Sequence, residues 1–498
     1  MAVNVHAVHT IPSMNFNRRR FLKSAAMASV ATPAALWSKV PGANEDIRVA
    51  VVGFNSRGQD HIDNFRKLKG VRVVALCDVD RTVLDQTAAK LAAEGNPVAT
   101  FTDVRKLLEQ PDIDAISTAT PNHWHALISV WACQHGKDVY VEKPVSHSVW
   151  EGRQIVKAAR KHRRIVQTGT QSRSSPALQE AVAWLQEGKL GKIQFARGLC
   201  FKPRQSIGRV SSPTHVPDTI DYDLWCGPTP ILPLFRKRLH YDWHWVYQNG
   251  NGDVGNQGIH QMDIARWFLG EKRVSNGVLS VGGRLGYFDD GDTPNSQIVI
   301  HDYDTAPLIF EVRGLPKSKI FQAPELWTKN MPEYHHTQIG VVISYEEGIV
   351  VIPSSYTEVV IQDNKGNEIK RFQGSGNHYL NFIQAVRSRR RSDLNADIEE
   401  GHISSALCHL GNISHRLGEK LGPPALRERL KNNEVATEAL GRLLEHLEAN
   451  EVDLIRSPLT LGALLEVDSV NELFYDNAPA NHLLREYGRP PFFVPEIS

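Results

Sequence analysis

From residue 47 onward the chain alternates two kinds of hydrophobic pattern. Residues 47–53 are a continuous β-branched run that ends in Gly53, which predicts a strand buried in a parallel sheet. A helical stretch follows over 57–68, then a second strand over Val71–Cys77 that closes on Asp78. The pattern continues with a helix over 82–93, a strand over 112–117 entered through Pro111, a helix over 125–134, a strand over 139–141, a helix over 150–162 and a strand over 165–168. Such alternation over more than 100 residues requires right-handed crossovers and predicts an α/β fold, a doubly wound parallel sheet of Rossmann type.

Near Gln171 the regular alternation gives way to longer loops rich in Pro, Gly and aromatic residues, which places a domain boundary there. Candidate strands beyond it include 297–301, 308–312 and 340–345, with a glycine-rich turn and helix over 249–268. A C-terminal α+β domain on a mostly antiparallel sheet is expected. Helices are predicted over 378–388, 398–417 and 434–449, followed by an extended tail from Ser457 whose apolar run at 490–495 needs a docking surface. The expected organisation is a leader and linker over 1–43, the dinucleotide-type domain over 44–170, the α+β domain over 171–377, and C-terminal helices and tail over 378–498.

Composition narrows the function classes. With 498 residues, 41% of them hydrophobic, two domains of ordinary size with a large core are affordable, and a net charge of +2 provides no field to hold a nucleic acid. Cys77, Cys133, Cys200, Cys226 and Cys408 are scattered and never in a C-x-x-C spacing, which argues against a disulfide framework or a zinc site. His123 and His125 flank Trp124 without a third ligand, so no metal is expected. Arg18, Arg19 and Arg20, followed by Phe21, Leu22 and Lys23, precede a run of small and apolar residues over 24–36 that is too short to span a membrane. The layout resembles a twin-arginine export signal, which implies cleavage between residues 34 and 44, a periplasmic location and no stable membrane insertion afterwards.

The chemistry begins at the first strand-to-helix turn. Gly53, Asn55, Ser56, Arg57 and Gly58 sit where free helix-start amides can hold a pyrophosphate, although Asn55 replaces the second glycine of the dinucleotide fingerprint. Asp78, ending the second strand, suits the two ribose hydroxyls of NAD and would repel the 2′-phosphate of NADP, so NAD is the expected cofactor even with Arg81 nearby. Three further motifs follow: Thr120-Pro121-Asn122-His123-Trp124-His125, Glu142-Lys143-Pro144, and Gly258-Ile259-His260-Gln261-Met262-Asp263.

In this order and spacing, residues 47 to 417 resemble the glucose-fructose oxidoreductase, inositol dehydrogenase and MocA (Gfo/Idh/MocA) superfamily. The resemblance implies an open C-terminal sheet that forms the substrate pocket and often an oligomer interface, hence a homo-oligomer. It also implies an NAD-dependent oxidoreductase acting on a CH–OH group of a sugar or polyol. It places Lys143 beside the reacting carbon, with Glu142 and Pro144, whose preceding bond is a candidate cis peptide, setting its position, and Thr120, Pro121, Asn122 and His125 along the cofactor. His260 matches the family's histidine opposite the lysine and is assigned the general base. Asn256 stands where many relatives carry Asp, so His260 needs another carboxylate, for which Asp253 is the nearest candidate; a turn role for Asp253 is equally open. Trp243 and Trp245 offer indole faces to a sugar ring, and core packing accounts equally well for one of them. Lys202, Arg204 and Ser206 form either a solvated loop or a group that recognises substrate hydroxyls or a carboxylate. Free NAD is scarce outside the cytoplasm, so a tightly held cofactor is expected. A redox-neutral NAD-dependent glycosidase working through a transient keto-sugar, and a non-catalytic NAD- or carbohydrate-binding protein, are the alternatives.

Overall fold

The computed structural model describes residues 46–498. The export signal read over residues 17–36 lies outside the described residues. No helix among the described residues is long and apolar enough to cross a membrane.

Six strands, β1 (Ile47–Val52), β2 (Val71–Cys77), β3 (Ala99–Phe101), β4 (Ala115–Thr118), β5 (Asp138–Val141) and β6 (Val166–Thr168), pair in the order β3-β2-β1-β4-β5-β6. Every pairing is parallel. The strand order reverses between β1 and β4, and a crevice opens outside the carboxyl ends of the strands at such a switch point. The continuous apolar runs follow from helices on both faces. Val49 and Val51 face one core while Ala50 and Val52 face the other. Local signals set the helix starts: Asp80 caps Arg81–Ala93, and Ser148 with Glu151 forms a reciprocal capping box at Val149–Lys161. Sequence periodicity passes over β3 and the helix Val104–Leu108, which are too short to establish a period.

The second sheet runs β14-β13-β12-β11-β7-β10-β9-β8, comprising β7 (Ile193–Phe201), β8 (Gly277–Gly283), β9 (Ser296–Asp302), β10 (Leu308–Arg313), β11 (Ile339–Tyr345), β12 (Gly348–Pro353), β13 (Glu358–Asp363) and β14 (Glu368–Gln373). Only β7 and β10 pair in parallel within this run. The expected mostly antiparallel, open sheet is therefore present. Its inner face packs on the helices Pro176–Leu185, Gly258–Leu269 and Ile398–Arg416. Over β8 to β10 the outer face is covered by the chain's own helix Glu434–Ala449, whose Leu440, Leu443 and Leu447 meet Val281, Ile298 and Ile309.

The C-terminal segment returns to the first domain. In the helix His378–Ser388, Phe382 and Ile383 join the core beneath β1. The tail is less uniformly extended than its composition suggests. Leu459–Leu461 and Leu465–Asp468 pair with β8, and Ala478–Leu483 is a helix. Pro490 and Pro491 prevent regular structure in the last segment, and Phe492, Val494 and Ile497 dock into the first domain's core. Phe492 is 1% exposed and meets the edge of Trp124 with ring centroids 5.5 Å apart, which supplies the docking surface the apolar run requires.

Phe492→Ala is expected to destabilise the protein by about 3–5 kcal/mol, the usual result of emptying a buried phenylalanine site. Equilibrium denaturation of the two proteins tests this, and a loss below about 1 kcal/mol would mean that the tail is not part of the folded core.

Candidate active site

At the switch point a cavity of about 610 Å³ runs from the turn after β1 to the start of the helix Gly258–Leu269. Gly53 adopts φ +73°, and a Cβ there would lie 2.7 Å from Thr120 Cγ2. A Cβ on Gly58 would lie 2.2 Å from the Gly53 carbonyl oxygen, so the helix can press against the strand only with glycine at this position. Ser56 makes no capping bond, which leaves the first-turn amides of Arg57–Arg66 without a side-chain acceptor. These features fit a pyrophosphate, and Asn55 lines the cavity without closing it.

Asp78 accepts from the amides of Phe54 (3.1 Å) and Asp80 (3.0 Å), leaving acceptor capacity for ribose hydroxyls. Burial raises its pKa, with the two amide bonds acting in the opposite sense. Arg81 turns away, its guanidinium donating to the Asp218 carbonyl at 3.1 Å.

Lys143 and His260, 117 positions apart in sequence, line the same cavity. Lys143 follows β5, the bond to Pro144 is cis, and its Nζ donates to the Asn256 carbonyl at 2.8 Å. Glu142 is 3% exposed, yet four donors satisfy it: Arg57 Nε at 3.0 Å, His61 Nε2 at 3.2 Å, Gln171 Nε2 at 3.1 Å and the Lys143 amide at 3.1 Å. Burial would raise this carboxyl, but His61 and Arg57 hold it well below the usual carboxylate range. Lys143 is pushed down by burial and by the cations of Arg57, Lys202 and Arg204, against the pull of Glu142. His260 is lowered to about 3 by burial and then by Lys143, and its Nδ1 has no hydrogen-bond partner. Asp263, one turn further along the same helix, accepts from Arg173 Nε at 2.8 Å, from Arg173 Nη2 at 2.9 Å and from the Ser404 hydroxyl at 2.7 Å, anchoring that helix to the rest of the domain.

Several expectations need correction. Asp253 does not support His260; it is spent on Arg204, whose Nε and Nη2 reach it at 2.8 and 2.7 Å. Trp243 lines the cavity, but Trp245 lies outside its lining with the Arg204 guanidinium 4.8 Å above its ring, because the tight turn over Trp243–Trp245 points successive side chains to different sides. The loop carrying Lys202 and Arg204 is not simply solvated, for both residues line the cavity; Ser206 does not, and accepts from the Gly208 amide instead. His125 borders the cavity with its ring between the carbonyls of Pro144 and Thr120, and His123 is buried against those of Trp225 and Asn249. The two rings thus brace the backbone.

Other contributors carry no sequence signal. His61, which reaches Glu142 and Ser117, is one helical position among many. Gln257 and Tyr356 meet at 3.3 Å from segments 99 residues apart. The segment over 202–251 supplies Leu224, Trp225, His240, Tyr241 and His244 to the cavity and closes over it. It is tied to the first domain by His240 Nε2 on Asp80 (2.9 Å) and by the Arg81 amide on the Thr219 carbonyl (3.0 Å). Arg489 of the tail donates to its Asp223 and Thr229 carbonyls.

The buried histidines imply a pH dependence of stability. His123, His260, His301, His409 and His446 are lowered to about 3, and His244, His378 and His415 to about 4. Below the unfolded-state value of about 6.5, the unfolded chain takes up protons that the folded chain refuses, so stability falls as pH drops. Each such histidine adds to the fall in stability between about pH 6.5 and its folded value; His147, raised to about 9, contributes in the opposite sense at higher pH. Guanidinium denaturation at pH 7, 6 and 5 is expected to give steadily lower stability, and a flat profile would contradict the neutral assignment.

Residues 47–170 match the family model described as the oxidoreductase family NAD-binding Rossmann fold, and residues 192–293 match that family's C-terminal alpha/beta domain. A glycosyl hydrolase family 109 protein of Shewanella pealeana is 32% identical over 171 residues, covering 29% of this chain and 37% of the relative. The levoglucosan dehydrogenase of Pseudarthrobacter phenanthrenivorans is 28% identical over 239 residues, covering 45% and 54%. The chain thus spans between about a third and about half of the length of these relatives. The crystal structure of the WlbA dehydrogenase from Bordetella pertussis in complex with NADH and UDP-GlcNAcA has the same fold, with a TM-score of 0.54 at 20% identity over 74% of this chain and 97% of that one. Residues 47–170 and 192–293 are therefore the NAD-binding Rossmann domain and the C-terminal α/β domain of the Gfo/Idh/MocA oxidoreductase superfamily.

Proposed function

We propose that the protein oxidises a CH–OH group of a sugar or polyol with NAD that it holds tightly, or with NADH reduces the corresponding carbonyl. The observation that carries this reading is the single cavity lined by Gly53, Asp78, Lys143 and His260, a dinucleotide cradle continuous with a basic, hydroxyl-bearing pocket. NAD bound there would supply the hydride acceptor or donor. Asp78 favours NAD over NADP, since its carboxylate would face a 2′-phosphate and Arg81 is turned to Asp218.

The side chains handle the proton. Lys143 donates to or accepts from the substrate hydroxyl and stabilises developing negative charge on its oxygen. Neutral His260, its Nδ1 unpartnered among the described residues, is the acceptor assigned to the hydroxyl proton, and the burial that keeps it neutral also makes it a weak base. Trp243 supports the apolar side of the sugar ring. The segment over 202–251 retains the cofactor, consistent with an exported enzyme that completes its redox cycle without free NAD. Export through a twin-arginine-type signal and assembly as a homo-oligomer belong to the same proposal.

A redox-neutral glycosidase is the second reading, favoured by the family 109 relatives, among them an alpha-N-acetylgalactosaminidase of Shewanella oneidensis that is 31% identical over 170 residues. A transient ketone beside a glycosidic carbon would use the same two side chains. A non-catalytic binding protein would have no need of Lys143 and His260 together.

Purified protein is expected to release NAD on denaturation. In the intact protein, bound-nucleotide absorbance should change on adding a substrate sugar, without added NAD. Free sugar released from a glycoside with no net change would select the glycosidase; empty protein that only reduces added NAD would remove the tight-cofactor reading. Lys143→Ala and His260→Ala are each expected to lower kcat by about 10²-fold or more, and near-normal turnover in either would cancel that residue's assignment. His240→Ala is expected to speed NAD dissociation by about tenfold, the effect of losing one charge-assisted hydrogen bond from the covering segment; an unchanged rate would show that this segment does not retain the cofactor.

A further inference from the structure

Among the described residues the carboxylates lining the cavity are Asp78, Asp103 and Glu142, all on the Rossmann side and each already engaged: Asp78 by two amides, with its remaining capacity facing the cofactor ribose, Asp103 by Arg105, and Glu142 by its four donors. The opposite wall has a different balance. Lys202, Arg204, His244, Gln257, His260 and Tyr356 line it, and among the described residues it contributes no carboxylate. Arg204 is neutralised from behind by buried Asp253. Lys202 is not; among the described residues its Nζ meets only the amide oxygen of Gln257, at a long 3.4 Å. It stands close enough to Lys143 and His260 for its charge to press both toward their neutral forms. One half-buried ammonium therefore faces the substrate space beside the proposed reacting groups with no counterion among the described residues, in position to pair with an anionic ligand.

We infer that the substrate carries a carboxylate, as a uronic or aldonic acid does, and that Lys202 is the residue that selects it. One free unit charge matches a carboxylate. A phosphoryl dianion would call for a second free cation or an open guanidinium fork; the Arg204 fork is occupied by Asp253, and Lys143 is pressed toward its neutral form and held on the Asn256 carbonyl. Gln257, next to Lys202, can donate its amide NH2 to the same anion. The inference deepens the proposed function and rests on it for the sugar frame.

The test compares pairs of methyl glycosides in the gluco, galacto and manno series, each pair differing only in CH2OH or COO⁻ at C6. Kd is measured by calorimetry on the NADH-loaded protein, and turnover of the same compounds on the NAD-loaded protein. In at least one series the uronate is expected to bind about tenfold tighter or more than its neutral partner, the usual effect of one charge-assisted hydrogen bond. That preference should shrink with added salt, collapse in Lys202→Gln and persist in Lys202→Arg. Equal or tighter binding of the neutral sugar in every series, a preference untouched by Lys202→Gln, or tighter binding of the sugar 6-phosphate than of the uronate would each overturn the inference. Selective uronate binding with no change in cofactor absorbance and no product would uphold the carboxylate and count against the oxidoreductase reading, so the two failures are separable.

Discussion

One buried carboxylate organises the catalytic end of this protein. Glu142 lies at the carboxyl end of β5 with almost no contact with water, a position that is costly for an anion unless donors replace the solvent. The donors come from the first helix (Arg57 and His61), from the segment leaving the first domain (Gln171), and from the backbone of Lys143. A Cβ on Gly169 would lie 2.8 Å from the Glu142 oxygen, so even the chain after β6 is shaped to it. The direction in which Lys143 leaves the sheet is thus set by a network that fails as a unit: removing any donor leaves a buried charge short of a partner.

The facing half of the site depends on a second buried carboxylate. Asp263 holds the helix bearing His260 to Arg173 and to Ser404 on the long C-terminal helix. A continuous path of paired charges and hydrogen bonds therefore backs both walls of the cavity. The groups exposed to the cavity, Lys143, Lys202 and His260, are those left without full pairing. That contrast, saturated behind and unsatisfied in front, is what a preorganised polar site requires, because the backing residues lose nothing when a ligand arrives.

The C-terminal third completes the fold in three ways. Its first helix closes the core under β1, the helix Glu434–Ala449 covers part of the outer face of the second sheet, and the tail pins the segment over the cofactor cavity through Arg489 while Phe492 braces Trp124. Substrate-side closure and core stability are thereby coupled through residues more than 200 positions from the motifs they support.

Much of this was legible in the sequence. The strand-to-helix alternation, the glycine turn and Asp78 rest on local patterns, since a buried parallel strand must be largely apolar and a phosphate turn must spare Cβ atoms, whereas setting Lys143 opposite His260 came only from the family resemblance. Local pattern could not show which charge pairs with which. Asp253, seven residues before His260, is the carboxylate the chain offers it upstream, yet it belongs to Arg204; Trp243 and Trp245 are two residues apart, yet one faces the cavity and the other lies under a guanidinium. His61, Gln257, Tyr356 and the 202–251 segment join the site only because the two sheets and the tail fold over one another. The sequence by itself determined the elements and the chemistry they carry, because these follow from periodicity and backbone geometry; tertiary structure alone decided which charges are satisfied and which face the ligand, because that depends on distances between segments far apart in the chain.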